Sequence, residues 1–419
     1  MLMFNKERNL LRISYKLNDR FDLTIFLSVT LLVVIGLLAI YSSTQNTISQ
    51  KGNFDKQLIS WGISLFIFFF IYSIPAQTFK LAALPTYVLS MFLLLVVLVI
   101  GRKIGGARSW IAFGGFSFQP AEFAKLATIL FLANFLSRSE TDLDNLKDII
   151  IALAIGISPI GLIMLEPDLG SSFVFIGVLL ALLFWKGISL FGLAVVLSPG
   201  IVAVASLFGP IYFVIAIVFV IAILFFFKKD IILSGSILAL NIAAGFFVDN
   251  FYNILSPHQQ RRIQTFIDPN ADPLGSGYNA IQAKVAIGSG GLFGKGFLHG
   301  NQTQLQFIPE QWTDFIFCVI GEEFGFFGSL IVIILFLVLF LRILRLATFA
   351  KNDFLSMVII GILTVFFVHF LVNVGMAIGI LPVIGIPLPF VSYGGSSLLI
   401  NMTMLGIIMN IHRSRKEST

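Results

Sequence analysis

Apolar residues run along this chain in long continuous stretches, broken by short polar intervals, and they do not alternate with period two. A hydrocarbon layer about 30 Å thick takes roughly 20 apolar residues per helix. Only helices or a closed barrel cross it with every backbone group satisfied. Without alternation, helices are expected rather than a barrel. About twelve spans are predicted, over 22–43, 57–75, 81–100, 121–137, 148–165, 170–187, 189–207, 210–227, 231–249, 314–341, 353–376 and 390–412. The first is not expected to be a cleaved signal peptide, because no small-x-small site follows it and further spans come directly after. The fold class expected is an all-α polytopic membrane protein, residues 1–419 forming a single integral membrane domain.

Composition agrees. Hydrophobic residues make up 58% of the 419 and charged residues only 11%, against about 25% charged in a soluble domain. Lipid must therefore solvate most of the surface. Cys318 is the lone cysteine, so no intramolecular disulfide exists, and it reads as a small buried hydrophobe. The net charge of +6 is read as topology and contact with anionic lipid, not as nucleic-acid binding. Lys6, Arg8, Arg12, Lys16 and Arg20 precede the first span, and Arg413, Arg415 and Lys416 follow the last. An even span count with positive charge inside makes both termini cytoplasmic.

Three segments on the outer side in that topology are more than connectors: a basic loop at 101–120, a large loop at 250–313, and 376–389 with Pro382, Pro387 and Pro389. Irregular backbone near a bilayer survives only when buried in protein or lining a wet cavity, so function is sought there.

Ionisable groups beside apolar runs mark four clusters. Asp314, in FIPEQWTDFIF, is read either as a cap of the helix that follows, a role Thr313 could also fill, or as a general base. Glu322 and Glu323 lie about two turns further on, and at least one needs a cationic partner. Glu122 and Lys125, in QPAEFAK, share a helix face at i, i+3 after Pro120, as a structural ion pair or as part of a site. Arg102, Lys103, Arg108, Arg261, Arg262, Lys284 and Lys295 are outer basic residues, suited either to a diphosphate headgroup or to ordinary anionic lipid. The glycine-rich run 286–297 permits close approach to an anion but lacks the strand-to-helix context of a nucleotide fingerprint. His299 has no companion at ligand spacing, so no metal site is assigned.

At these residues the chain resembles the SEDS family (shape, elongation, division, sporulation), closest to its elongation-associated RodA branch. The resemblance is carried by the run from Arg261 to Phe317, QPAEFAK, EPDLGSS and GIPLPFVSYGGSS. It implies a peptidoglycan glycosyltransferase that polymerises lipid II at the outer face of the bacterial cytoplasmic membrane during cell elongation and so maintains cell shape. It implies an essential aspartate at Asp314, a paired acid and base at Glu122 and Lys125, and matches at Arg108, Trp110, Glu166, Asp168 and Gly170. It also implies a class B penicillin-binding protein as transpeptidase partner, beside other membrane proteins of the elongation complex. Two departures stand out. The family commonly has ten spans, which places a surplus helix pair within 189–249, and many relatives have His where this chain has Trp312.

The reaction expected is transfer of a growing glycan from its lipid diphosphate to the 4-hydroxyl of the incoming sugar. Asp314 serves as base, with Glu122 and Lys125 orienting the site. Arg108, Trp110, Arg261, Arg262, Lys284 and Lys295 contact substrate. A divalent cation, magnesium or manganese, is the one cofactor compatible with the leaving group, although the sequence offers no oxygen cage for it. A lipid II flippase shares the same spans and charges, and a non-catalytic scaffold is the third reading.

Overall fold

The computed structural model describes residues 21–46, 50–104, 107–113, 116–227, 231–254, 260 and 276–414. Helices α1 (Leu23–Thr44), α2 (Asn53–Ser73) and α3 (Gln77–Ile100) lead into strands β1 (Arg102–Ile104), β2 (Ala107–Phe113) and β3 (Phe116–Phe118). Then follow α4 (Pro120–Leu136), α5 (Leu146–Leu165), α6 (Leu169–Lys186), α7 (Leu190–Leu207), α8 (Pro210–Phe227) and α9 (Ile231–Ile254). The chain ends in α10 (Ser276–Ser289), α11 (Asn301–Gln304), α12 (Ile316–Thr348), α13 (Asp353–Ala377) and α14 (Gly395–Ser414). Each of the twelve predicted apolar stretches falls on one helix. Among the described residues, nine helices are long and apolar enough to cross a membrane by length and composition.

Local chemistry sets the helix ends. Asp22 accepts from the Thr24 and Ile25 amides to cap α1, and Asn352 accepts from Leu355 N to cap α13. Pro120 occupies the first turn of α4, where its missing N–H costs nothing. Leucine, isoleucine and phenylalanine cover both faces of most helices. The inward set forms one large core that α13 and α14 cross centrally, while side chains such as Phe66, Phe225 and Phe226 point out to lipid. Helices α7–α9 enclose a smaller core of their own, Val202, Ala216, Val220, Leu224 and Ile237. Within it Asn241 donates to Ser198 Oγ at 3.0 Å.

The helices bring distant segments together at two ends: α1 and α12 run antiparallel, and α2 and α14 run parallel. At one end Arg342 lies 3.8 Å from Asp22 and donates to Thr24 Oγ1, and Asn410 donates to the Ile71 and Tyr72 carbonyls. At the other, Ser42 bonds Glu323, and Gln311 donates to the Ser43 and Thr303 carbonyls. The strands of the 101–120 segment and residues 276–313 of the large outer segment gather at this second end, together with the stretch between α13 and α14.

Two features differ from the sequence expectation. The 101–120 segment, expected as a loop, is a three-stranded antiparallel sheet, with Arg102 opposite Trp110 and Ile111 opposite Phe118. Its period-two signal is short: Ser109 and Ile111 turn inward while Arg108 is exposed. The second difference is a break in α12 at Gly325, whose φ is +66°. The glycine-rich loop repairs that break. Lys295 N and Gly296 N donate to the Glu322 and Glu323 carbonyls, and Phe326 N and Phe327 N donate to Gly291 O and Leu292 O. Freed backbone groups in a membrane helix must be met in this way. The run 286–297 therefore braces a helix; a Cβ on Gly290 or Gly294 would strike the Gly321–Phe324 backbone.

Replacing Gly325 by alanine would force a side chain onto a left-handed backbone and drive its Cβ into Gly294 N, with the Leu292 carbonyl carbon and oxygen each 2.8 Å away. A loss of about 1–3 kcal/mol is expected, read as a lowered melting temperature of the detergent-solubilised protein. A melting temperature unchanged from wild type would contradict this packing.

Candidate active site

Asp314 sits in a tight bend, not in a helix cap. The Glu310 carbonyl accepts from Thr313 N and Asp314 N, at 3.2 and 3.0 Å. Helix α12 starts only at Ile316, with Phe315 at its N-cap and no side-chain cap. The capping reading of Thr313 or Asp314 is therefore replaced: the bend closes on the Glu310 carbonyl, and the helix begins after it.

Three consecutive carbonyls of the bend are held from outside it. Tyr393 N donates to Trp312 O at 2.9 Å, Ser392 Oγ to Thr313 O at 2.6 Å, and Asn373 Nδ2 to Asp314 O at 2.8 Å. Asn373 also donates to Ile386 O at 2.8 Å, so α13 grips both the Asp314 bend and the segment between α13 and α14. Gln57 of α2 holds that segment from the far side, accepting from Gly394 N and donating to Ser392 O. Glu310 and Phe390 both have positive φ, at the bends that bring the two segments together.

Glu122 and Lys125 form the ion pair their spacing predicts, 2.7 Å apart, with the Lys125 side chain 1% exposed. Lys125 Nζ also lies 2.9 Å from His369 Nε2, and His369 Nδ1 lies 3.0 Å from Pro387 O. His369 stands one turn before Asn373 on α13, so the buried pair and the Asp314 bend meet on one helix face. Just above Glu122, Gln119 N donates to Ser396 Oγ, and Gln119 Nε2 donates to Asp168, which caps α6 through Ser171 N.

The basic residues divide. Arg102 and Arg108 are exposed on the sheet, where alternation puts Arg108 on the same face as half-buried Trp110, itself opposite Arg102. Lys284 of α10 is exposed and lies where a Cβ on Gly379 would stand, beside the C-terminal end of α13. Lys295 is taken by an ion pair: its Nζ is 2.9 Å from Glu322 Oε1. Glu322 accepts as well from Gln302 N, Thr303 N and Thr303 Oγ1, so it has the cationic partner its depth demands and caps the short α11. Arg261 and Arg262 lie outside the described residues. Cys318 is buried, as expected of a small hydrophobe.

Sequence reading left His369, Asn373 and Ser392 unassigned. The signal for the first two was present: polar residues at i, i+4 in an otherwise apolar helix share one face. Glu166, in the connection between α5 and α6, is wholly buried, and neither carboxylate oxygen has a hydrogen-bond partner in the protein. Burial first, and the nearby Asp168 second, push its pKa up to about 8.

Comparison with known proteins now adds identity to geometry. The profile of the FtsW/RodA/SpoVE family, described as "Cell cycle protein", matches residues 22–216 and 192–417. The peptidoglycan glycosyltransferase MrdB of Escherichia coli (strain K12) is 37% identical over 397 residues, covering 94% of each chain. A chain solved in work on structural coordination of polymerization and crosslinking by a peptidoglycan synthase complex superposes with a TM-score of 0.72 at 26% identity, over 95% of this chain and 99% of that one. The rod shape determining protein RodA of Thermus thermophilus gives 0.63 at 25% identity, over 94% and 98%.

The raised Glu166 pKa has a consequence for stability. A carboxyl whose folded pKa lies above its unfolded value favours the native state while both forms are protonated, and the advantage is lost as pH rises toward the folded pKa. Glu166→Gln should therefore melt near wild type at pH 4.5 and increasingly above it as pH approaches 8. Thermal melts across that range check this; a constant difference would contradict it.

Proposed function

This chain belongs to the FtsW/RodA/SpoVE family of cell cycle proteins, and from that premise we propose that Asp314 is the general base of a glycan-polymerising site at the end of the bundle where the loops gather. The chain is a multi-pass membrane protein and a peptidoglycan glycosyltransferase. The observation that carries the site is the hold on the carbonyls of residues 312–314, which fixes the bend bearing the half-buried Asp314 side chain.

The substrate proposed is lipid II, a disaccharide carried on a lipid diphosphate. The 4-hydroxyl oxygen of the incoming sugar bonds to the anomeric carbon of the growing strand, and the bond from that carbon to the diphosphate oxygen breaks with its electron pair. The hydroxyl proton passes to the Asp314 carboxylate, and the diphosphate departs with the negative charge. Arg102, Arg108 and Lys284, all exposed at this end, are suited to that charge, because cations there act by charge-assisted hydrogen bonds. Trp110 between the two arginines offers a flat apolar surface to a sugar ring or lipid. Glu122 and Lys125 act from below, holding the site through α13. Lys295 braces Glu322 with one of its three N–H donors and, being partly exposed, keeps the others for a phosphate oxygen.

A divalent cation enters no step of this scheme. Among the described residues, no three of His, Cys, Asp and Glu converge as metal ligands would.

The membrane proposed is the bacterial cytoplasmic membrane, with the Asp314 end outside and both termini inside. Supporting this, Arg138, Lys147, Lys186, Arg342, Arg345, Lys351 and Arg413 all lie at or beside the opposite ends of their helices. A class B penicillin-binding protein is the proposed partner, with other membrane proteins of the elongation complex. Similarity to a chain from a complex that coordinates polymerization and crosslinking supports it.

Purified wild-type protein with its transpeptidase partner should polymerise lipid II, and Asp314→Asn should lower the rate by about 100-fold or more without changing the melting temperature. Wild-type rates in the variant would sink the base assignment. A wild type that moves labelled lipid across liposomes yet makes no polymer would favour a flippase instead.

A further inference from the structure

His369 is the buried polar side chain of α13 that the reaction scheme leaves without a task. It is 2% exposed and makes two contacts that differ in kind. One is to Lys125 Nζ at 2.9 Å, an ammonium that can only donate. The other is to the Pro387 carbonyl at 3.0 Å, an oxygen that can only accept. Together they fix the ring: Nε2 presents its lone pair to Lys125, and Nδ1 carries the proton donated to Pro387. The imidazole is neutral, with both nitrogens satisfied.

We propose that His369 is a positioning residue for glycan transfer, a neutral cross-brace joining the buried Glu122–Lys125 pair to the backbone segment that holds Asp314. The path is continuous through the protein. Lys125 bonds Glu122 on α4 and His369 on α13. His369 and Asn373, one turn apart, tie the adjacent carbonyls of Pro387 and Ile386. From there the segment reaches Ser392 and Tyr393, which hold Thr313 O and Trp312 O, while Asn373 itself holds Asp314 O. A core histidine satisfied only for burial's sake needs neither a buried ammonium on one side nor a carbonyl of the catalytic segment on the other. Removing the imidazole leaves Lys125 with one bonding partner fewer and frees the Pro387 carbonyl. The segment gripping the Asp314 bend then loses the side-chain bond from His369 and keeps the one from Asn373.

The brace rests on the Asp314 reading, and its test separates the two. The full chain, with its transpeptidase partner, is compared as wild type, His369→Phe and His369→Gln. The glutamine oxygen can replace Nε2 as acceptor for Lys125; phenylalanine replaces neither contact. His369→Phe is expected to lower kcat about tenfold or more, with KM for lipid II within about twofold and the melting temperature little changed. His369→Gln should recover part of that loss. Amide exchange measured without substrate should quicken several-fold over 386–393 and 312–316 in the Phe variant, and not over α2. Wild-type kcat in the Phe variant, a loss matched by unfolding with no recovery in Gln, or unchanged exchange in those two stretches would each overturn the brace. Asp314→Asn that still polymerises would sink the base assignment instead, while the exchange result still decides the brace.

Discussion

Backbone carbonyls that leave regular structure beside a membrane must find donors within the protein, and the Asp314 end of this chain is organised by that requirement. The residues before α12 bend sharply, and the segment between α13 and α14 carries Pro382, Pro387 and Pro389, which can donate no amide. Neither stretch satisfies all of its carbonyls by itself. Ser392 and Tyr393 of the second donate to the first, and Asn373 and His369 of α13 supply further donors. These bonds hold the backbone of the bend at Asp314, which is what the proposed base role asks of it. The break at Gly325 obeys the same rule, with the glycine-rich loop as donor and acceptor.

Charge is handled in two ways at the same end. Lys125 and Lys295 each face a glutamate at hydrogen-bond distance, Glu122 and Glu322, so these carboxylates sit deep in the protein with a partner. Breaking one member of such a buried pair typically costs about 3–5 kcal/mol, which makes both pairs structural anchors whatever else they do. Glu166 has no such partner and is pushed toward its neutral form. The exposed cations, Arg102, Arg108 and Lys284, form no ion pair with a carboxylate among the described residues.

Much of the architecture was legible because lipid imposes a simple pattern: twelve apolar stretches became twelve helices. The Glu122–Lys125 pair was legible from i, i+3 spacing after a proline. What escaped depended on contacts between segments far apart in sequence. The short sheet hid because Arg102–Phe118 offers few alternating positions between glycines. The bend at Asp314 looked like a helix cap because Thr-Asp before an apolar run usually is one; only the distant Asn373, Ser392 and Tyr393 decide otherwise. The pairing of Lys295 with Glu322, 27 residues on, was not legible from spacing. Arg261 and Arg262 lie outside the described residues, so their part in substrate contact stays a proposal.

If the Asp314 bend is the centre of the reaction, Asn373 acts through Asp314, and a double-mutant cycle measures that coupling. Polymerisation rates from lipid II would be compared for wild type, Asn373→Ala, Asp314→Ala and the double variant. Freeing the Asp314 carbonyl should slow wild type markedly, yet change nothing further once the carboxylate is gone. Equal losses from Asn373→Ala in both backgrounds would contradict the claim that this bend, so held, is the centre of the reaction.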